Sequence, residues 1–347
     1  MDVSLFDFDM PEDRIALRPA CPRDSARVLV VHPDGSLTHA QVRDLPDYLR
    51  AGDLLVANDS KVIAARLRAR RGAGGPAVEL LLHKRVASDR FLALARPAHK
   101  LSAGDELSIS GDITARVVAR REAGEVEIAF DRAAAALDGA IAQFGEVPLP
   151  PYIARRRAPD ARDTSDYQTV FAAHEGSAAA PTAGLHFTSD LLARLAVAGV
   201  AREQITLHVG PGTFLPVNAA DISQHRMHGE WVRLAADTAE TINAARASGG
   251  RIVAVGTTSL RALETAADAD GRLHAFEGET DLFVTPGYDF KAVDVLLTNF
   301  HLPRSTLFML VCAFAGIGTM KRAYAEAIAE GYRFYSYGDA CLLFRQA

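Results

Sequence analysis

The stretch TPGYDFKAVDVLLTNFHLPRSTLFMLVCAFAG, Thr285 to Gly316, decides how the chain is read. Its middle, Val293 to Leu297, is a nearly continuous apolar run of strand length, the pattern of a strand buried on both faces of a sheet. Thr298, Asn299, Phe300 and His301 follow, and Pro303 ends any further pairing. Ser305 suits the N-cap of an apolar helix from Thr306 to Ala315, closed by Gly316. The stretch is therefore strand, polar loop, helix. In an open α/β sheet, ligands bind in loops at the carboxyl ends of strands. Asn299 and His301 stand at such an end, and from this stretch alone a binding site and a plain backbone cap are equal readings.

The same design recurs. Leu54 to Ala57 is an apolar strand followed by Asn58, Asp59, Ser60 and Lys61. Ile205 and Leu207 open another, with His208 inside it and the tight loop Gly210-Pro211-Gly212-Thr213 behind it. That loop's amides could meet an anion, although one Gly-x-Gly is more often a turn. Ile252 to Val255 leads into Gly256-Thr257-Thr258-Ser259, then a helix from Leu260 to Ala267. Hydroxyls and amides at a helix N-terminus favour a carboxylate or phosphate. Arg261 and Glu264 share a helix face at i, i+3, where the plain reading is a surface ion pair.

From about residue 66 to 147 the texture changes to short segments of period two, separated by turns at Pro97, Ser102 to Asp105, Ser110 to Asp112 and Ala123-Gly124. Regularly spaced short strands indicate a small antiparallel sheet or barrel. A helix over Ala133 to Phe144 closes the segment. The expected fold is an α/β main domain with a mixed sheet plus an inserted small antiparallel β-barrel-like domain. The expected boundaries are 1–65 with 148–347 for the discontinuous main domain and 66–147 for the insert. Short helices are predicted over Glu12 to Ala16 and Asp47 to Arg50. Further helices are predicted over Asp190 to Ala198 (capped by Ser189), Asp237 to Ser248 and Met320 to Glu330. Tyr332 to Phe344 reads as a final strand interrupted at Tyr337-Gly338-Asp339. Residues 145–188 read mostly as loop, too long to be structureless in a compact domain unless functional. They carry Arg155, Arg156 and Arg157 near Tyr152 and Tyr167. Basic residues interleaved with aromatics suit an RNA backbone and unstacked bases, but a solvated basic loop explains the charge equally well.

The 347 residues favour two domains. With 49% hydrophobic and 23% charged residues the composition is that of a globular protein. A net charge of −5 argues against a whole-surface grip on nucleic acid but allows a local basic patch. No apolar run reaches membrane-spanning length, and the acidic start MDVSLFDFDMPEDR has no signal core. Cys21, Cys312 and Cys341 lie far apart, forming neither a disulfide framework nor a metal cluster, which fits a reducing, cytoplasmic setting. His225, His228 and Glu230 in QHRMHGEW have no zincin spacing, so no metal is expected there.

Taken together, FDFDMPEDRIA, PRDSARVLVV, LLVANDSKVIAARL, PLPPYIARR, DYQTVFA, APTAGLHFT, TLHVGPGTF, HRMHGE, VAVGTTSLRALE, the opening stretch and YRFYSYGDA closely resemble the S-adenosylmethionine:tRNA ribosyltransferase-isomerase family of queuosine biosynthesis. These blocks span nearly the whole chain in order; the β insert matches least, through VELLLHKR. Ala57 replaces a larger residue common in the family, and no polar position is disturbed. The resemblance implies transfer of the ribosyl part of S-adenosylmethionine to 7-aminomethyl-7-deazaguanine at the tRNA wobble position. The ribose is isomerised to give epoxyqueuosine, and adenine and methionine leave. S-adenosylmethionine is then a co-substrate, and no cofactor, metal or membrane is implied; a monomer is expected. The chemistry needs a base for the acidic C5′ protons beside the sulfonium, an acid or hydrogen bond for departing adenine, and an acceptor near the incoming amine. Histidine suits such transfers near neutral pH. His186, His208 and His301 are the candidates, with His228 behind them. Asn58, Lys61, Thr182, Gly210, Gly212, Thr213, His228, Thr257, Thr258, Arg261, Glu264 and Asn299 are the expected substrate contacts. Arg66, Arg155, Arg156 and Arg157, with the run Lys61 to Arg71, are expected to face tRNA. A methyltransferase is the competing enzyme, disfavoured because no glycine-rich loop follows a first strand. A non-catalytic RNA-binding module is the other competitor, and it would not need polar loops after several buried strands.

Overall fold

A computed structural model describes all residues except 73, 111–112, 211–221, 223–226, 228 and 347. The chain begins with β1 (Arg27–Val31), β2 (Leu37–Gln41), β3 (Leu54–Asn58) and β4 (Ser60–Val62). Six strands follow: β5 (Arg66–Arg71), β6 (Ala77–Ala87), β7 (Arg90–Arg96), β8 (Glu106–Ile109), β9 (Thr114–Arg120) and β10 (Glu125–Phe130). Then come α1 (Ala134–Phe144), α2 (Pro151–Ala154), α3 (Asp163–Asp166), β11 (His174–Ser177), α4 (Ser189–Val197) and β12 (Ala201–Leu207). The remainder holds β13 (Glu230–Leu234), α5 (Ala236–Ala247), β14 (Ile252–Val255), α6 (Gly256–Ala266), β15 (Phe276–Thr280), β16 (Val295–Asn299), α7 (Thr306–Ala315), α8 (Ile317–Ala329) and β17 (Ala340–Phe344).

Nine strands form one mixed sheet in the order β15-β13-β12-β3-β14-β16-β17-β1-β2. At its centre β12, β3, β14 and β16 lie side by side and parallel. Every residue of β3, β14 and β16 is buried, as their unbroken apolar runs require. Each fully buried Val or Leu there contributes about 1.5–3 kcal/mol relative to exposure. Because the four strands are parallel, their carboxyl ends lie along one edge. β17 runs antiparallel to β16, with Ala340 opposite Asn299, so the segment before β17 reaches that same edge.

The insert closes as a six-stranded antiparallel barrel, β10-β7-β6-β5-β8-β9. Its alternation is the predicted one: along β9, Ala115 and Val117 point inward while Thr114, Arg116 and Val118 are exposed. Leu67, Leu80, Leu82, Val117 and Ile128 fill it, and Leu137 and Ile141 of α1 join the same core. Closure leaves no unpaired strand edge.

Several boundaries differ from the sequence reading. Thr188, not Ser189, caps α4, its hydroxyl accepting from the Leu191 amide at 3.1 Å. The first short helix is a 3-10 turn over Glu12–Arg14, and the second is a 3-10 segment over Val42–Asp47 that admits Pro46. The last helix starts at Ile317, directly after Gly316. Only Ala340–Phe344 of the final stretch is strand, because Tyr332 to Asp339 folds as a loop. Thr298 and Asn299 belong to β16 itself, where they pair with Cys341 and Ala340. Residues 145–188 carry α2, α3, β11 and a 3-10 turn at Thr182–His186. Ser305 does cap α7, accepting from the Phe308 amide at 3.1 Å.

Candidate active site

A narrow open cleft lies beside the ends of β12, β14 and β16. The start of α6, the end of β16, the turn at Thr182–His186 and the loop at Tyr335 and Ser336 enclose it. At Gly256 the chain turns from β14 straight into α6 with φ +89°, a conformation that favours glycine. A Cβ there would sit 3.4 Å from that of Ala183. No loop intervenes, contrary to the sequence reading, so Thr257 and Thr258 occupy the first helical turn and line the cleft. Among the described residues, no side chain caps α6. Its first-turn amides thus lack intrahelical partners and carry the positive end of the helix dipole.

His301 also lines the cleft and is 9% exposed. Its Nε2 lies 2.9 Å from Thr298 Oγ1, and its amide donates to the Tyr324 hydroxyl at 3.0 Å. Burial lowers its pKa to about 3, so the imidazole is neutral at physiological pH. Asn299 ties three elements together. Its Oδ1 accepts from Thr182 Oγ1 at 3.1 Å, while its Nδ2 donates to the Tyr335 carbonyl at 3.1 Å and lies 3.2 Å from His186 Nε2. His186 sits behind Asn299, outside the cleft lining, and burial pulls its pKa down to about 4 against the opposing pull of Asp339.

Other predicted residues lie elsewhere. The Asn58 amide is consumed within the protein: Oδ1 accepts from the Leu207 and Ser60 amides, both at 3.0 Å. Its Nδ2 donates to the Leu207 carbonyl at 2.9 Å and reaches Thr258 Oγ1 at 3.4 Å. His208 lies just past β12, not inside it. Its Nδ1 is 2.7 Å from Ser60 Oγ, and its ring stacks on Trp231 at 5.0 Å. Burial lowers its pKa, with Asp59 opposing. Gly176 packs against that imidazole so closely that a Cβ would come within 2.6 Å of it.

Arg261 and Glu264 are not a surface pair: both are buried and each binds a different element. Arg261 forms an ion pair with Glu230 and donates to the Leu282 carbonyl at 2.9 Å. Glu264 accepts from the Lys291, Ala292 and Val293 amides at 2.9–3.1 Å, capping the approach to β16. The Gly210 amide donates to Glu230 at 3.1 Å. Gly212, Thr213, His225 and His228 lie outside the described residues.

The basic residues divide in the same way. Lys61 pairs with Glu175 at 2.8 Å beside a second, larger groove between α1 and residues 145–175. Arg66 donates to the Leu149 carbonyl at 3.2 Å. Arg156 pairs with Glu12 at 2.7 Å. Arg157 grips the buried Asp163 with two nitrogens, at 2.8 and 2.5 Å. Arg155 alone of that run is exposed with no side-chain partner among the described residues.

Tyr152, Thr298, Tyr335 and Ser336 line the cleft but were not singled out as substrate contacts from sequence. Thr298 stands beside Asn299 and carries the same strand-end signal. Tyr335 and Ser336 lie in an irregular loop with no periodic signal. Among the described residues, no group of three His, Cys, Asp or Glu side chains is placed to hold a metal. No single described helix is long and apolar enough to cross a membrane.

A family model described as queuosine biosynthesis protein matches residues 3–343. The chain belongs to the queuosine biosynthesis protein family. It is an enzyme of the transferase and isomerase class, acting in tRNA modification. Similar members of this family include an S-adenosylmethionine:tRNA ribosyltransferase-isomerase of Methylobacterium radiotolerans, 62% identical and matching 99% of this chain and 98% of its own length. Another of the same name, from Nitrobacter winogradskyi, is 58% identical over the same shares. The crystal structure of S-adenosylmethionine tRNA ribosyltransferase from Thermotoga maritima is 37% identical, with a TM-score of 0.57, and the match covers 98% of this chain and 100% of that one.

Proposed function

We propose that the protein transfers the ribosyl group of S-adenosylmethionine to 7-aminomethyl-7-deazaguanine at the tRNA wobble position. The ribose is rearranged to an epoxycyclopentanediol, giving epoxyqueuosine-tRNA and releasing adenine and methionine. The observation that carries this reading is one cleft holding both an uncapped helix N-terminus and a neutral buried imidazole. The start of α6, with Thr257 and Thr258, suits the methionine carboxylate. His301 suits proton transfer: its Nε2 is engaged by Thr298, leaving Nδ1 to face a reactant. A neutral ring does not repel the sulfonium. Asn299 and His186 act one step back, positioning Thr182 and the Tyr335 backbone. RNA is met outside the cleft, where Arg155 follows directly on α2, the helix that carries Tyr152.

The test is product analysis with a modified anticodon stem-loop and S-adenosylmethionine. Adenine and methionine in equal amounts are expected. S-adenosylhomocysteine would instead identify a methyltransferase, and no product at all would favour a binding module.

A further inference from the structure

The cleft's electrostatics bear on a part of the co-substrate that the preceding roles leave unassigned. On one side stands the positive end of α6, after β14. On the far side of β16, just before β17, stands Tyr335. No Asp, Glu, Lys or Arg among the described residues lines the cleft. A cation entering it therefore meets a positive helix end, an uncharged imidazole, hydroxyls and aromatic rings. Ring faces carry the negative end of the aromatic quadrupole and attract such a cation.

Tyr335 is built to stay where it is. Its φ of 72° lies in the left-handed region, which an aromatic residue rarely adopts. Three hydrogen bonds hold that backbone. The Tyr335 amide donates to the Phe300 carbonyl at 3.1 Å, and its carbonyl accepts from Asn299 Nδ2 at 3.1 Å and from the Gly338 amide at 2.9 Å. The ring packs against Tyr152 with centroids 4.9 Å apart and planes tilted by 58°. The Tyr152 hydroxyl is fixed in turn by Ser336, whose amide donates to it at 3.0 Å. Strained backbone that neighbours over-determine is concentrated at functional sites.

We propose that Tyr335, backed by Tyr152, is the specificity-determining wall for the sulfonium, and that it distinguishes S-adenosylmethionine from the neutral thioether. The proposal rests on the functional reading above and adds to it the recognition of the charged sulfur. Cation and carboxylate of the co-substrate then lie toward opposite sides of the cleft, each beside the surface that attracts it.

The experiment measures adenine release with the modified stem-loop, giving KM for S-adenosylmethionine and Ki for S-adenosylhomocysteine. Tyr335→Leu is expected to raise KM by roughly 3- to 30-fold while Ki stays within about twofold, the range of a cation–π contact. Tyr335→Phe, which keeps the ring face, is expected to retain the preference. Tyr335→Gly suits the left-handed backbone and also removes the ring; with a native fold verified by circular dichroism, it should repeat the Tyr335→Leu result. An equal loss for both ligands, or an unchanged ratio of KM to Ki, overturns the proposal and leaves Tyr335 a packing residue. Absence of adenine release from the unaltered protein overturns the functional reading, and the sulfonium wall with it.

Discussion

The ends of β16 and β3 start from the same sequence device and finish differently. Both are fully buried parallel strands that terminate in asparagine. At Asn299 the amide bridges separate elements, and its neighbour His301 lines an open cleft. At Asn58 all four close contacts lie within the protein, three of them to main chain of the adjoining β12 end and of Ser60. His208, beyond β12, is likewise engaged by Ser60 and covered by Trp231. A polar residue after a buried strand thus announces a hydrogen-bonding demand. At both ends the protein itself meets that demand, and which element packs over the strand end decides whether a cleft remains beside it.

Four tests probe the contrast between groups open to a ligand and groups held within the protein, at the strand ends and along the arginine run. His301→Ala is expected to lower kcat by about 10²- to 10⁴-fold, the usual loss for a proton-transfer group, with an unchanged melting temperature. Loss of folding with full activity per folded molecule would return His301 to a capping role.

Asn58→Ala should do the reverse. It strands the buried Leu207 and Ser60 amides and the Leu207 carbonyl, each costing about 1–3 kcal/mol, so several kcal/mol of stability should vanish in urea unfolding. The surviving folded fraction should keep its KM.

Acid titration probes His301 and His186 together. Their folded pKa values, about 3 and about 4, lie below the unfolded value of about 6.5. The unfolded chain therefore binds protons first as pH falls. The stability these groups confer is complete above pH ~6.5 and is lost on descending toward the folded values, by up to about 1.4 kcal/mol per pH unit for each group. His186→Asn should flatten that slope, and an equally steep acid limb in the variant would remove His186 from the account.

The smallest contrast concerns the arginine run. Arg155→Ala should weaken RNA binding a few-fold and reduce the logarithmic salt slope by about 1. Arg157→Ala should instead destabilise the fold, because Asp163 would be left buried without its bidentate partner. A salt slope unchanged by Arg155→Ala takes that residue off the RNA surface.

Much of the fold was legible because its strands are extreme in type. β14 is apolar throughout, β3 and β16 are apolar up to their polar ends, all three are fully buried, and most barrel strands alternate, so each announces its burial. Helix starts were less legible: Gly256 looked like loop, yet its positive φ lets α6 begin with no loop at all. At the site, His301, Asn299, Thr257 and Thr258 were readable as polar groups beside apolar strands, whereas Thr182, in a small-residue stretch, was indicated only by the family resemblance. Tyr335 was not, because a left-handed tyrosine held by an asparagine and a phenylalanine carbonyl is a tertiary fact. Arg261 and Glu264 were misread for a related reason. Their i, i+3 spacing is real, but Glu230 and the amides before β16 claim them first.

The position of β17 sets a timetable for synthesis. This strand lies between β16 and β1, pairing Val28 with Ala340 across almost the full chain length. The barrel strands are complete at Phe130, so that unit can close while the ribosome is still far from the end. The central sheet cannot: until Ala340 to Phe344 emerge, β1 and β16 have no strand to join them. A message cut short before that point yields a finished barrel attached to a split sheet with two open apolar edges. Such a product is a target for proteolysis and aggregation, not a partly active enzyme.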